Sequence, residues 1–198
     1  GDLQTNGVLN FSDIDVSDTG HTTSVKLAAS GTLGTFGAVD DAALLALFST
    51  VVTNTTALAD GTIAWDFTGS EALFDYLNNG ESLVLQYTVD VTDEALTSNS
   101  QTVTITVDGA NDAPTVSAAI NAGTTDQNAA AVSIDLLANA SDVDASDDLD
   151  TANVTVTSSN TGRAVIFNVD NETGQLTLDP SQFNDLDSGE SETITIQY

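Results

Sequence analysis

The sequence predicts an all-β protein of two tandem β-sandwiches with short helical connections, and three observations predict it. Apolar and polar residues alternate with a period of two along much of the chain, the signature of half-buried antiparallel strands. Gly-, Asn- and Asp-rich turns separate those runs at short intervals, the spacing of a sandwich. Two motifs of the first half return in the same order in the second, which marks two homologous domains.

In the first half, Asp40 is expected to cap a short helix over Ala42–Phe48, and Ser70 one over Glu71–Leu77 with Gly80 just beyond. Between them Ile63, Trp65 and Phe67 alternate in a strand and read as core, with a sugar-stacking platform as the other reading of Trp65. Leu83, Leu85, Tyr87, Val89 and Val91 share one strand face, and Val103, Ile105 and Val107 share another with Thr outward. In the second half strands are expected over Val132–Leu137, Val154–Thr157 and Thr193–Ile196, with a turn opening at Pro180 and running through Leu186.

The repeat is explicit. Ser12-Asp13-Ile14-Asp15-Val16-Ser17-Asp18 returns as Ser141-Asp142-Val143-Asp144-Ala145-Ser146-Asp147. Phe74, Leu77 and Gly80-Glu81-Ser82 return as Phe183, Leu186 and Gly189-Glu190-Ser191, each followed by a strand that ends in Gln-Tyr. Copy one is longer between the motifs, and the extra chain is assigned to the Asp40–Asp60 region. The boundary falls at Asp108-Gly109-Ala110-Asn111-Asp112-Ala113-Pro114, which gives domains 1–110 and 111–198. Aligned this way, domain one lacks its first strand and domain two its last. A piece of a longer repeat array accounts for that, as does strand exchange between subunits.

Composition narrows the functions. Lys plus Arg number 2 against 30 acids, for a formal net charge of -28, and 24 of the acids are Asp. Nucleic-acid binding needs a basic footprint, and here Lys26 and Arg163 stand alone. No run of about 18 apolar residues spans a bilayer. With no Cys there is no disulfide, thiolate metal site or cysteine nucleophile. Such a charge needs screening by salt or neutralisation by bound cations. Dispersed residues such as Asp60, Asp170 and Asp185 read as an acidic coat, while the clustered ones read as cation sites.

Five short motifs occur in order: Phe11-Ser-Asp-Ile-Asp15, Gly61-Thr-Ile-Ala-Trp-Asp-Phe67, Leu77-Asn-Asn-Gly-Glu-Ser82, Tyr87-Thr-Val-Asp-Val91 and Asn111-Asp-Ala-Pro114. Together they resemble the VCBS repeat of bacterial surface proteins over most of residues 7–114. The second domain, with Leu136-Leu-Ala-Asn-Ala-Ser-Asp-Val-Asp144 and Leu176-Thr-Leu-Asp-Pro180, is similar to a cadherin-like relative. The resemblance implies Greek-key Ig-like or cadherin-like sandwiches. It further implies a place in a very long secreted adhesin or biofilm protein at the bacterial cell surface, often of the RTX type exported by type I secretion. Neighbouring repeats would be its partners, other domains would carry the surface or matrix ligands, and Ca²⁺ at domain junctions would stiffen the rod. The RTX nonapeptide Gly-Gly-x-Gly-x-Asp is absent from this sequence.

Ca²⁺ takes about six to eight oxygens, which Asp, Asn and backbone carbonyls supply. Asp-x-Asp in an extended segment turns both carboxylates to one side, so Asp13/Asp15 and Asp142/Asp144 are ready-made pairs. In a sandwich the motif follows the second strand and returns to the N-terminal pole of its domain. Asp142 and Asp144 are therefore expected beside Asp108, Asn111 and Asp112 of the linker, as in cadherin-type junctions. Glu81 is expected at the far pole of domain one, either as a further oxygen or as part of a helix-stop turn. Asp93 and Glu94 are expected with Asp13 and Asp15 as a second site. The competing reading of all these acids is turn chemistry without metal. Several clustered carboxylates without a cation would resist ordering, since two unit charges about 4 Å apart repel by about 4 kcal/mol at an effective dielectric of about 20.

Catalysis finds little support. His21, the one histidine, lies in a Thr/Ser/Gly-rich turn and reads as a solvated loop residue. Abundant Asp makes accidental carboxylate pairs meaningless as a glycosidase signal. The expected function is a non-enzymatic, Ca²⁺-stiffened extender of a secreted adhesin. The alternatives are a ligand- or carbohydrate-binding adhesin domain and a self-assembling fibre or surface-layer subunit.

Overall fold

A computed structural model of the chain describes residues 1–14, 20–54, 60–93 and 100–198, with the side chains of Asn54 and Asp60 also left aside. The protein is all-β with few helical turns, and it divides into two units. The first comprises Gly1–Asp112 together with Asp144–Ser146, and the second Ala113–Val143 with Asp147–Tyr198.

Among the described residues, six strands build the first unit: β1 (Asp2–Ser12), β2 (Thr22–Gly31), β3 (Phe48–Asn54), β4 (Asp60–Ser70), β5 (Ser82–Thr92) and β6 (Gln101–Asp108). They form two antiparallel sheets, one in the order β1-β4-β3 and the other β2-β5-β6. The alternation that reads as strand in the sequence sets this arrangement. Leu83, Leu85, Tyr87, Val89 and Val91 on β5 and Val103, Ile105 and Val107 on β6 are all buried, and they join Ile63, Phe67 and Phe48 of the other sheet in one core. Tyr87 lies at its centre, stacked on Phe48 with ring centroids 4.3 Å apart, and donates its hydroxyl to the Leu44 carbonyl at 2.7 Å. Burial pushes the Tyr87 phenol well above its usual range. Trp65 is half-buried, stacked against Phe48 at 5.6 Å.

Aromatic rings cover two cross-strand glycines in the β1-β4 ladder. Gly7 is paired with Trp65 and Gly61 with Phe11, and in each pair the ring occupies the space a glycine side chain would fill. A glycine in a strand leaves a hole over its own Cα, and here a partner's ring fills it.

The connection between β2 and β3 holds a single helical turn, α1 (Ala42–Leu45), shorter than the expected helix. Its cap is Asp41, whose side chain accepts from the N–H groups of Ala43 at 3.0 Å and Leu44 at 3.2 Å. The expected cap, Asp40, is held in a left-handed conformation at φ 49. Its N–H donates to the Leu27 carbonyl at 3.0 Å and its carboxylate accepts the Leu27 N–H, also at 3.0 Å, so it is fastened to β2 instead. Ser70 likewise precedes only a 3₁₀ turn, Glu71–Leu73, and makes no side-chain cap.

The second unit contains β7 (Thr115–Val116), β8 (Val132–Asp135), β9 (Ala140–Ser141), β10 (Thr155–Ser158), β11 (Phe167–Asp170), β12 (Gln175–Leu178) and β13 (Ile194–Gln197). Its sheets run β11-β12-β8, β10-β13 and β7-β9. Matched by sequence repeat, β8, β11 and β12 stand as β1, β3 and β4 do in the first unit, and β10-β13 stands as β2-β5. Leu136, Leu176, Leu178 and Phe183 are the buried centre, a smaller core than that of the first unit. A 3₁₀ turn opens at Pro180, capped by Asp179 through the Ser181 N–H at 2.9 Å.

Candidate functional site

Three of the predicted cation ligands, Asp108, Asn111 and Asp112, lie at or just after the end of β6. Asp108 ends that strand opposite Ser82. Gly109 then donates its N–H to the Glu81 carbonyl at 2.9 Å. A side chain at this position would strike the carbonyl oxygens of Leu77 and Asn78, so only glycine lets the chain leave β6 this close to the turn. Asn111 bends its side-chain amide onto the carbonyl of Asp112. The Asp112 N–H donates to Oδ2 of Asp144 at 2.7 Å. Asp144 is 2% exposed, while Asp108, Asn111 and Asp112 are all exposed. Beside it, the Ala145 N–H reaches the Tyr76 carbonyl at 3.3 Å.

Linker and motif thus meet within the first unit through Asp112 and Asp144. Asp142, half-buried, belongs to the second unit. A buried carboxylate must be held by hydrogen-bond donors or by a cation. The Asp112 N–H is one such donor, and Asp144 is the only fully buried carboxylate among the described members of the predicted set.

Glu81 has a structural use. Its Oε2 accepts the Asn78 N–H at 3.0 Å, while its own N–H donates to the Asn78 carbonyl at 2.9 Å. Gly80, at φ 88, makes the reversal possible. Glu190 repeats the device on Asp187, with Gly189 at φ 92. This is the turn reading of Gly80-Glu81-Ser82.

Asp13 follows β1, and its Oδ2 lies 2.9 Å from Nε2 of His21. The His21 side chain is 9% exposed and its ring tilts against Phe11 at 4.9 Å. The solvated loop histidine expected from sequence is therefore corrected: it is held between the Phe11 ring and the Asp13 carboxylate. Asp93 follows Thr92, the last residue of β5, which pairs with Thr22, the residue after His21. Asp15 and Glu94 lie outside the described residues.

Turn chemistry also accounts for several acids elsewhere. Asp126, Asp135 and Asp170 each accept the N–H two residues on, from Asn128 at 2.8 Å, Leu137 at 3.0 Å and Glu172 at 3.2 Å. Asp185, expected in a dispersed coat, is exposed and also pairs with Arg163 at 2.5 Å. The hydrogen bond from Arg163 holds its carboxyl below the usual range. Glu192 escaped sequence reasoning altogether, although the signal was present. It shares the inward parity of Ile194 and Ile196, where an apolar residue is expected, and it is buried beside Arg163.

Among the described residues, no three acidic or histidine side chains converge as a metal's ligands. Trp65 is packed against the core, and Tyr76 is half-buried with its hydroxyl on the Thr32 carbonyl at 3.0 Å. No helix among the described residues is long and apolar enough to cross a membrane. Compared with known proteins, the chain matches no family model and no curated protein.

Proposed function

We propose that the chain is a non-enzymatic extender module of a large secreted bacterial adhesin that serves surface attachment or biofilm formation, stiffened by Ca²⁺. The observation that carries this reading is the buried Asp144 carboxylate on the Asp112 N–H, at the point where the repeated Asp-x-Asp motif meets the Asp- and Asn-rich segment after β6. Asp108, Asn111, Asp112 and Asp144 would be the protein's oxygen donors there, by side chain or carbonyl, with water completing the shell of a hard cation.

Strand order supports the finer architecture. The sheets β1-β4-β3 and β2-β5-β6 follow the B-E-D and C-F-G order of an Ig-like Greek key. The second unit repeats the B-E-D and C-F parts of that order. Two such domains in tandem suit a repeat array that spans distance, in which each domain needs only its neighbours.

Thermal unfolding with Ca²⁺ and with excess EDTA tests the reading. Binding to the folded state alone stabilises by about 2.7 kcal/mol at a ligand concentration of about 100 Kd, so chelation is expected to lower Tm by several degrees. Superimposable melting curves would overturn it.

A further inference from the structure

We propose that the second unit carries a binding site for an organic cation, a guanidinium or primary ammonium group, centred on Glu192. A pocket of about 470 Å³ lies beside this residue, lined also by Ser159, Asn160, Asp185, Glu190 and Ser191. The lining is oxygen-rich, and its only formal charges are carboxylates.

Glu192 is the independent sign that a ligand belongs there. Its side chain is only 4% exposed. Oε1 is engaged, taking the Ser158 hydroxyl and lying 2.9 Å from Nε of Arg163 in an ion pair. Oε2 is buried with no hydrogen-bond partner. A buried carboxylate oxygen without a donor is rare in folded proteins, because it forfeits its hydration for nothing. Arg163 does not relieve it. Its Nη2 goes to Asp185 at 2.5 Å, its Nη1 to the Gln182 carbonyl at 3.1 Å, and its guanidinium sits over the Phe183 ring at 5.2 Å. One guanidinium against Asp185, Glu190 and Glu192 leaves the site two charges negative.

The group proposed for this place is a positively charged hydrogen-bond donor. A guanidinium or ammonium offers several N–H groups to Oε2 and to the Ser and Asn oxygens around it, and charge-assisted bonds of this kind are the strong ones. A divalent metal fits less well, because no three acids among the described residues converge on one point and Arg163 already stands beside the carboxylate. Arg163 is engaged and Lys26, the other of the two Lys and Arg side chains, pairs with Asp90 at 3.4 Å, so the proposed donor belongs to another molecule.

The test is a titration of the full chain, followed by the backbone amide resonances of Ser159, Asn160 and Ser191. The probes are methylguanidinium, acetyl-Gly-Arg-Gly-amide and CaCl₂. Saturable shifts with an organic probe, weakening as NaCl rises, are expected. Binding of methylguanidinium alone assigns the site to a small ligand, and binding of the blocked peptide assigns it to an arginine side chain of a partner. Glu192→Gln should weaken binding roughly tenfold or more. Should that variant not fold without its Arg163 pair, Glu190→Gln, which keeps an acceptor for the Asp187 N–H, should still weaken binding several-fold. The proposal is overturned by no saturable shift into the tens of millimolar, by shifts with CaCl₂ only, or by affinity unchanged in whichever variant folds.

Discussion

Glu81 and Glu190 close the same turn in the two repeats, each accepting the N–H three residues before it, from Asn78 at 3.0 Å and from Asp187 at 2.8 Å. Both follow a glycine in the left-handed region, Gly80 and Gly189. In both, the turn comes after a phenylalanine and a leucine, Phe74 and Leu77 or Phe183 and Leu186, whose backbones are joined by a further hydrogen bond. A carboxylate kept by both copies at one place in the turn is here explained without a metal.

Glu81→Gln retains an acceptor for the Asn78 N–H, whereas Glu81→Ala leaves that donor without its partner. The alanine variant is expected to lose about 1 kcal/mol of stability and the glutamine variant a few tenths. Urea unfolding with and without Ca²⁺ measures this. A glutamine variant that loses its response to Ca²⁺ while folding normally would return Glu81 to the ligand set.

The strands were legible because both faces of each sheet leave a mark in the sequence. Leu83 to Val91 alternate as they do because β5 is central in its sheet and its inward face meets Phe48 and Phe67. The helix cap was not legible. Asp40 and Asp41 are equally good capping residues, and the choice rests on a bond from Asp40 back to Leu27, a tertiary contact without local trace. The burial of His21 leaves no local trace either, since it depends on Phe11 and Asp13. Of the proposed cation site, sequence supplied the meeting of Asp112 with Asp144. It had no means to separate Asp residues that hold turns, such as Asp126 and Asp135, from those that face a ligand.

Gly7 lies under the Trp65 indole, where a methyl group would come within 2.6 Å of the ring. Phe48 stacks on the same indole and limits its retreat. Gly7→Ala is therefore expected to destabilise the first unit by about 1–3 kcal/mol through overpacking, although alanine normally suits a strand no worse than glycine. A lower urea midpoint at unchanged m-value is the expected result, with a shift in Trp65 fluorescence. Unchanged stability would mean that the ring moves freely.

Asp144→Asn separates turn chemistry from cation binding at the most buried acid of the proposed site. The asparagine Oδ1 still accepts the Asp112 N–H, so stability in EDTA should change by less than about 1 kcal/mol. The charge that would attract Ca²⁺ is gone, so the rise in Tm on adding Ca²⁺ should shrink to a small fraction of its wild-type size. An equal rise in both proteins would place any bound ion elsewhere.

Asp90 is buried on β5, with the Ser100 hydroxyl on Oδ1 at 2.5 Å and the Lys26 ammonium 3.4 Å from Oδ2. The Ser100 bond, and after it Lys26, hold this carboxyl below the usual range against the opposing effect of burial. A folded pKa below the unfolded value of about 3.9 contributes stability that is fully present above that value and is lost as pH falls through the folded one. Relief of repulsion among the protein's 30 acids works in the opposite direction as they protonate. Asp90→Asn keeps an acceptor for Ser100 and removes the titration. Its urea midpoint should therefore fall less than that of the wild type between about pH 5 and pH 3. Parallel pH profiles for the two proteins would show that Asp90 contributes nothing to acid sensitivity and that the exposed turn acids govern it.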